Sequence, residues 1–192
     1  MFPTPFKVVV DANVLFPFTL RDTVLRAAAR GYFQLYWSEQ ILEEARRNLV
    51  KTGTVTEEQA ERLMATMRRA FPEATVRGHE RFIDAMQNDP KDRHVAAAAV
   101  KTGAQVIVTN NLKDFAELPE GLDVQSPDDF LESLFDLDPE GLTDLVKAQA
   151  AALKRPERTV EEILTALAKL VPEFARCVRD RLAESQDGFR SV

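Results

Sequence analysis

Four acidic side chains of this sequence follow apolar runs or lie on helices. They are Asp11, Glu44, Asp92 and Asp114. Asp11 directly follows the apolar, β-branched run Val8–Val10, and Asp114 follows the run Val106–Val108 through a short polar segment. Two carboxylates ~4 Å apart repel each other by on the order of a few kcal/mol in a partly buried crevice, so a fold that gathers several of them needs a cation. A ligand set made only of oxygen fits Mg²⁺ or Mn²⁺.

Taken singly, most of these acids also have a structural explanation. Asp89-Pro90-Lys91-Asp92 is typical of a helix N-terminus, with the first acid as the cap and the second in the first turn. Asp114 is able to cap a short turn, and Glu44 to be a solvated helix residue. Asp11 differs from the others, because a carboxylate that ends an all-apolar strand is poorly solvated and needs partners.

Strand-like and helix-like segments alternate over the first 125 residues. The pattern predicts strands at 6–10, 33–37, 105–109 and 122–125, and helices at 19–30, 38–51, 56–71 and 89–103. This order predicts an α/β protein, with a central parallel sheet between two layers of helices. Ligands of such sheets bind in the crevice at the carboxyl ends of the strands, which is where the four acids belong.

The helix predicted at 38–51 carries two adjacent acids. Its predicted buried face consists of Ile41, Leu42, Ala45 and Leu49. Glu44 lies about 60° from Ile41 around the helix axis, whereas Glu43 points further into solvent. Glu44 is therefore the better candidate for a cleft, and Glu43 remains the alternative.

The last third of the chain has a purely helical pattern. Helix starts are predicted at Ser126-Pro127, at Asp138-Pro139 and at Thr159, and Pro172 either begins a fourth helix or kinks the third. We therefore expect two parts, an α/β domain over 1–125 and a helical C-terminal extension over 126–192. The extension is small for independent stability, so it is expected to pack on the first domain, on a partner or on a second copy.

The charge distribution limits the kinds of partner. The net charge is −6, but residues 45–101 carry 11 basic and 8 acidic groups, so a polyanion would bind only through a local patch. The single Cys177 excludes an intramolecular disulfide, and two histidines do not favour a His-rich zinc site. No apolar stretch is long enough for a membrane span and no export signal is present, which predicts a soluble cytoplasmic protein.

Four segments in this order resemble the PIN-domain ribonucleases, in particular the VapC-type toxins of toxin–antitoxin systems. The segments are Val8–Leu15, Ile41–Glu44, Asp89–Ala99 and Val106–Phe115. The resemblance covers roughly residues 6–125. It implies a three-layer PIN-like fold and an endoribonuclease that depends on Mg²⁺ or Mn²⁺. It also implies RNA as substrate, with tRNA or rRNA loops as candidate targets, a cognate antitoxin as protein partner, and a homodimer.

The resemblance assigns roles to individual positions. The implied catalytic residues are Asp11, Glu44, Asp92 and Asp114. The implied metal ligands are Asp11, Asp92 and Asp114, and the implied supporting residues are Asn13, Asp89 and Asn111. The candidates for contacts with RNA phosphates in the net-positive middle section are Arg46, Arg47, Lys91 and Arg93.

Two alternatives stay open at this point. One is a catalytically inactive PIN-like domain that serves as a binding or scaffold module. The other is a phosphatase of the haloacid-dehalogenase type with Asp11 as nucleophile, although such enzymes need a second aspartate where this chain has Asn13. The remaining reactive side chains are interpreted as structural: His94 as a packing or surface residue, His79 as a loop residue and Cys177 as a small buried hydrophobe.

Overall fold

A computed structural model describes residues 6–190, with side chains described up to residue 185, and these residues form two compact units. The first unit comprises residues 6–17 and Phe33–Ser126, and the second comprises Phe18–Tyr32 and 127–190. The segment Phe18–Tyr32, which the sequence analysis assigns to the first domain, therefore groups with the C-terminal helices.

The described strands, in chain order, are β1 (Lys7–Val10), β2 (Gln34–Ser38), β3 (Thr75–Val76), β4 (Val106–Val108) and β5 (Asp123–Gln125). The described helices are α1 (Ala12–Leu15), α2 (Phe18–Ala29), α3 (Glu39–Lys51), α4 (Glu57–Ala70), α5 (Arg93–Thr102), α6 (Pro127–Leu137), α7 (Pro139–Ala152), α8 (Val160–Leu167) and α9 (Pro172–Arg190). Short 3-10 helices lie at Glu80–Ala85 and Leu112–Phe115. The predicted α/β fold with a parallel sheet and a helical C-terminal region is confirmed, whereas α1 and β3 were not predicted.

The sheet of the first unit is parallel throughout its described strands, in the order β3-β2-β1-β4-β5. The chain first builds outward from β1 through β2 to β3, then returns to the other side of β1 for β4 and β5. The strand order thus reverses between β1 and β4, and such a switch point opens a crevice at the carboxyl ends of the two strands. The register pairs Val10 with Val108, so the residues that follow these valines stand side by side at the crevice.

Buried side chains explain why the elements of the first unit hold their positions. Val8, Val9 and Val10 are fully buried, as the branched apolar run predicts for an inner parallel strand. Helix α3 begins at the cap Ser38, whose hydroxyl accepts from Ile41 N at 3.2 Å, and its buried face is the one that the sequence predicts. Helix α4 lies within the predicted range and begins with a complete capping box at Thr56.

The start of α5 differs from the prediction. The sequence places Pro90 in the first helical turn and Asp89 as the cap, but α5 begins at Arg93 with Asp92 in the cap position. The side chain of Asp89 accepts from Lys91 N at 3.1 Å, so the acid closes a local turn instead of capping the helix. The carboxylate of Asp92 makes no capping hydrogen bond, although it still lies at the positive end of the helix dipole.

The second unit is built from helices α2 and α6–α9 over the part of it that the structure describes. Its core consists of apolar residues at helical spacing, as predicted for the C-terminal helices, and Pro172 begins a separate helix rather than a kink. A buried polar bridge joins α2 to α7, because Thr23 Oγ1 donates to Gln149 Oε1 at 2.9 Å and Gln149 Nε2 donates to Thr19 O at 3.0 Å. Helix α2 is therefore an integral member of this bundle.

Candidate active site

Asp11 ends β1 at the switch point of the sheet. Its neighbour across the crevice is Thr109, since Val10 and Val108 are paired in register. The backbone continues this pairing, with Asp11 N donating to Val108 O at 3.0 Å. The side chain of Asp11 is only 4% exposed. A carboxylate at this depth needs hydrogen-bond donors to remain charged.

The donors come from the loops that follow β1 and β4. Asp11 Oδ1 accepts from Ala12 N at 2.6 Å, and Oδ2 accepts from Asn13 Nδ2 at 2.7 Å and from Thr109 Oγ1 at 2.8 Å. Burial nevertheless raises the pKa of Asp11, since the hydrogen bonds from Thr109 and Ala12 only partly offset it and the charge of Glu44 adds to it. The site therefore holds a carboxylate in fixed orientation but at an electrostatic cost.

Asp92 is the most perturbed acid of the site. It is 8% exposed, and its Oδ2 has no hydrogen-bond partner among the described residues. Burial, followed by the negative charge of Asp11, raises the pKa of Asp92 to about 6; Asp114 adds to this increase and Lys91 opposes it. Asp92 therefore lies within electrostatic reach of both Asp11 and Asp114.

Asp114 is brought to Asp92 by a backbone link between their loops. Asp89 N donates to Asp114 O at 3.0 Å, which ties the turn before α5 to the 3-10 helix after β4. The carboxylate of Asp114 pairs with Lys91 Nζ at 3.0 Å. This ammonium group partly offsets the negative charges of Asp114 and Asp92.

Glu44 and Glu43 point in different directions, as the helix phase predicts. Glu43 accepts two hydrogen bonds from Arg46, both at 2.7 Å. Glu44 is half-buried and lies 3.2 Å from the Nε2 atom of His94 on α5. Burial, the largest single cause, raises the pKa of Glu44, but His94, Gln40 and Arg47 together lower it, so the net direction is downward. Glu44, and not Glu43, contributes to the electrostatics of Asp11.

The supporting residues act partly as expected. Asn13 links the two loops, because its Nδ2 reaches both Asp11 and Thr109 while its Oδ1 accepts from Asn110 N at 3.0 Å. Asn111 contributes its backbone N–H, which donates to Thr109 Oγ1 at 3.1 Å. The sequence analysis missed Thr109 itself, which is fully buried and connects three of these groups. The sequence does contain an indication of this role. Thr109 directly follows an apolar strand, so its buried hydroxyl needs a polar partner just as the carboxylate of Asp11 does.

The four cations proposed for RNA contacts have different surroundings. Arg46 is paired with Glu43 and Glu57, and Lys91 with Asp114. Arg93 donates through Nε to Asn88 O at 3.1 Å and is part-buried. Arg47 is the most available of the four, with a side chain 61% exposed and only a 3.8 Å contact to Glu43.

The chemistry of this site fits a divalent cation, although its present arrangement is not a closed cage. Among the described residues no three His, Cys, Asp or Glu side chains stand close enough together to hold a metal ion as they are. Three features nevertheless indicate oxygen donors whose negative charge is not fully balanced. Oδ2 of Asp92 has no hydrogen-bond partner among the described residues, the pKa values of Asp11 and Asp92 are raised, and Asp114 is paired with a lysine. Hard oxygen donors of this kind are the ligands that a divalent cation such as Mg²⁺ prefers. Asp11 and Asp92 are the donors that a cation would relieve most.

Comparison with known proteins identifies the family to which this chain belongs. Residues 7–113 match the PIN domain family, and this match spans more than half of the chain, so the protein belongs to the PIN-domain family. Residues 127–180 match the family described as the VapC50 C-terminal domain. The chain is also 41% identical over 115 residues to the protein named "Putative ribonuclease VapC50" of Mycobacterium tuberculosis (strain ATCC 25618 / H37Rv), a match that covers 58% of this chain and 68% of that protein.

These matches agree with the predicted resemblance to VapC-type PIN ribonucleases. PIN ribonucleases generally use divalent metal ions. The phosphatase alternative has no support, because Asn13 serves as a hydrogen-bond donor to Asp11 and the chain is a PIN protein. No helix in the described part of the chain is long and apolar enough to cross a membrane.

Proposed function

We propose that this protein is an endoribonuclease that hydrolyses RNA phosphodiester bonds with Mg²⁺ or Mn²⁺. Asp11, Glu44, Asp92 and Asp114 form the catalytic centre, with Asp11, Asp92 and Asp114 as metal ligands. The observation that carries the proposal is the buried, unpartnered Oδ2 of Asp92 beside a second buried carboxylate, Asp11. Two neighbouring buried carboxylates raise each other's pKa, and the similarity to a VapC ribonuclease supports a catalytic role for the pair.

The residues of the chain divide the work by their surroundings. Asp11 is fixed by three hydrogen bonds and has little freedom to reorient, so it serves as the anchoring ligand. Asp92 offers an oxygen that is free of hydrogen bonds in the described part of the chain. A bound divalent ion would acidify a water molecule and stabilise negative charge on the phosphoryl oxygen. Glu44 lies at the edge of the cluster, close enough to Asp11 to accept a proton or orient a water molecule.

Lys91 has a second role in this scheme. Its ammonium group neutralises Asp114 when no other cation is near. A lysine side chain is long and flexible, and this one is exposed, so it is able to leave Asp114 and contact a phosphate of the incoming RNA. Phosphate contacts from Lys91, Arg47 and their neighbours would set affinity without reading sequence.

The decisive experiment compares wild type with Asp11→Asn on RNA. Purified protein is incubated with total RNA and with a labelled oligonucleotide, with Mg²⁺, with Mn²⁺ and with EDTA. We expect cleavage only by wild type and only with a divalent ion. Equal RNA loss in wild type and variant would exclude this catalytic centre, and RNA binding without any cleavage would favour the inactive binding module.

We further propose that the protein is the toxin of a type II toxin–antitoxin pair, with a cognate antitoxin as partner. The match of residues 127–180 to the VapC50 C-terminal domain supports this role, as does the similarity to a VapC protein over 58% of the chain. Induced expression in a bacterial host should arrest growth, and Asp11→Asn should relieve the arrest. Co-expression of the protein encoded next to this gene should also relieve it; growth arrest that no neighbouring protein relieves would instead indicate a processing nuclease.

A further inference from the structure

His94 is a buried imidazole that the scheme above does not use. It lies on α5, two residues after Asp92, and is 3% exposed. Its Nε2 is 3.2 Å from Glu44 Oε1, yet neither ring nitrogen makes a hydrogen bond of regular alignment among the described residues. The contact has the length of a hydrogen bond, and a small rotation of either side chain would complete it.

This environment makes His94 a poor packing residue. A buried polar group without a well-formed hydrogen bond costs on the order of 1–3 kcal/mol relative to an apolar side chain of the same shape. The neighbouring residues of α5, Val95–Ala99, are all fully buried and apolar. An aliphatic residue would therefore serve the packing better, which points to a role for the imidazole outside stability.

Glu44 is the group on which His94 acts. Its Oε1 also accepts from Gln40 Nε2 at 3.3 Å, one helical turn earlier on α3. Gln40 is exposed, whereas His94 is buried, so His94 is the less mobile of the two contacts and the better one to fix the carboxylate. With Oε1 engaged, Glu44 Oε2 accepts no hydrogen bond from the described residues.

We propose that His94 is a positioning residue for Glu44. Its Nε2–H donates to Glu44 Oε1 and keeps the carboxylate beside Asp11, so that Oε2 is presented to the bound cation or to a water molecule of the reaction. The inference rests on the proposed function, because it assigns a partner to one acid of the same centre. If His94 has this role, replacing it should lower activity only while residue 44 is a carboxylate. A purely structural role would not depend on residue 44.

Three substitutions separate these roles. His94→Leu keeps a similar volume and removes the donor, and His94→Gln keeps an N–H donor at the same number of bonds from Cα as Nε2. His79→Leu is the matched control, since His79 is likewise buried, with an unpartnered Nδ1, but has no contact with Glu44 among the described residues. Folding is followed by thermal unfolding, cleavage by kcat/KM on a labelled RNA, and binding of Mn²⁺ alone by calorimetry.

We expect His94→Leu to unfold at the wild-type temperature or above it and yet to lose about 10- to 100-fold in kcat/KM and in Mn²⁺ affinity, the range for outer partners of metal-site residues. His94→Gln should stay within about threefold of wild type, and His79→Leu should change neither quantity. In a Glu44→Gln background the added His94→Leu substitution should change kcat/KM by less than about twofold, because the two residues act as one unit.

Several results would overturn the inference. A His94→Leu chain that fails to fold would show that the imidazole is a structural residue. Equal losses from His94→Leu in both backgrounds, or no rescue by His94→Gln, would show that the effect does not pass through Glu44. The proposed function is judged separately by Asp11→Asn: if that variant cleaves as wild type does, the catalytic centre fails, whereas an inactive Asp11→Asn with a fully active His94→Leu removes only the role of His94.

Discussion

Asp11 and Asp92 in the first unit are held in the opposite way to the acids of the second unit. In the second unit the described carboxylates with shifted pKa values have donors: Asp138 accepts from Tyr32 and Gly141, and Glu161 from Arg179. Their pKa values are lowered, with the hydrogen bond as the largest cause. In the first unit burial raises the pKa values of Asp11 and Asp92.

The difference shows how the same residue type is used for stability in one place and for chemistry in the other. An acid whose charge is matched lowers the free energy of the folded state. An acid crowded against another acid raises it, and such a position is tolerable when a ligand repays the cost. Removing the carboxylate of Asp92 should therefore stabilise the protein without metal, whereas removing that of Asp138 should destabilise it.

The largest expected effect is on catalysis at Asp92. Asp92→Asn should lower the RNA cleavage rate at least about 100-fold with Mg²⁺ present, because it removes a proposed ligand, the carboxylate with the free oxygen. The same variant should unfold at a higher temperature than wild type in EDTA, because it removes a poorly compensated charge. A variant that loses both activity and stability would contradict the comparison between the units.

The pH dependence of stability should report on the same residue. The folded-state pKa of Asp92, about 6, is above the unfolded value of 3.8, so the folded state holds the proton more tightly and its stability falls as pH rises through this window. Wild type without metal should lose about 2 to 3 kcal/mol of unfolding free energy between pH 4 and pH 7 from this group. Urea titrations in EDTA should show that loss, Asp92→Asn should flatten it, and Mg²⁺ at pH 7 should reverse it.

A smaller effect of opposite sign is expected at Asp138. Asp138→Ala removes the cap on Gly141 N and the partner of the Tyr32 hydroxyl, so it should destabilise the protein by about 1–2 kcal/mol. The pKa of Asp138 is lowered in the folded state, so its contribution is present above the unfolded value and is lost as pH falls. Asp136→Ala, at an exposed acid two residues earlier, is the matched control and should change the unfolding free energy by less than about 0.5 kcal/mol.

The smallest effect concerns RNA binding. Arg47→Gln should weaken binding to a non-cleavable RNA about two- to threefold and reduce the slope of log K against log salt by about 1, as expected when one phosphate contact is lost. Arg176→Gln in the second unit, where the arginine is 57% exposed and paired with Glu173, should leave both quantities unchanged. Equal effects of the two variants would show that RNA does not prefer the net-positive section of the chain.

The sequence predicted most of the sheet and placed Asp11 at the carboxyl end of a buried strand, because both follow from local patterns. Val8–Val10 has one interpretation in a soluble α/β protein, and parallel strands bring their carboxyl ends to one edge whatever the loops do. The choice of Glu44 over Glu43 followed from helix phase alone. These inferences needed only the spacing of apolar residues and the regular geometry of helices and strands.

Other features depended on contacts between distant residues, and no local pattern predicts them. Asp89 appeared to be a helix cap, but the link from its N–H to Asp114 O turns that segment into a tight turn and delays α5 to Arg93. His94 was interpreted as a packing or surface residue. Its contact with Glu44 joins two helices far apart in sequence, so no local pattern indicates it. Thr109 was overlooked for the same reason.

Helix α2 has a consequence for the order in which the protein is made. Its inner face, Leu20, Val24 and Ala27, is fully buried within the second unit, and its polar bridge reaches Gln149 on α7. Its main packing partners, α7 and α8, begin more than a hundred residues later in the chain, so a ribosome releases α2 well before them. We therefore expect the nascent chain to expose this apolar stripe until those helices are made, and a chain shortened at residue 126 to expose it permanently.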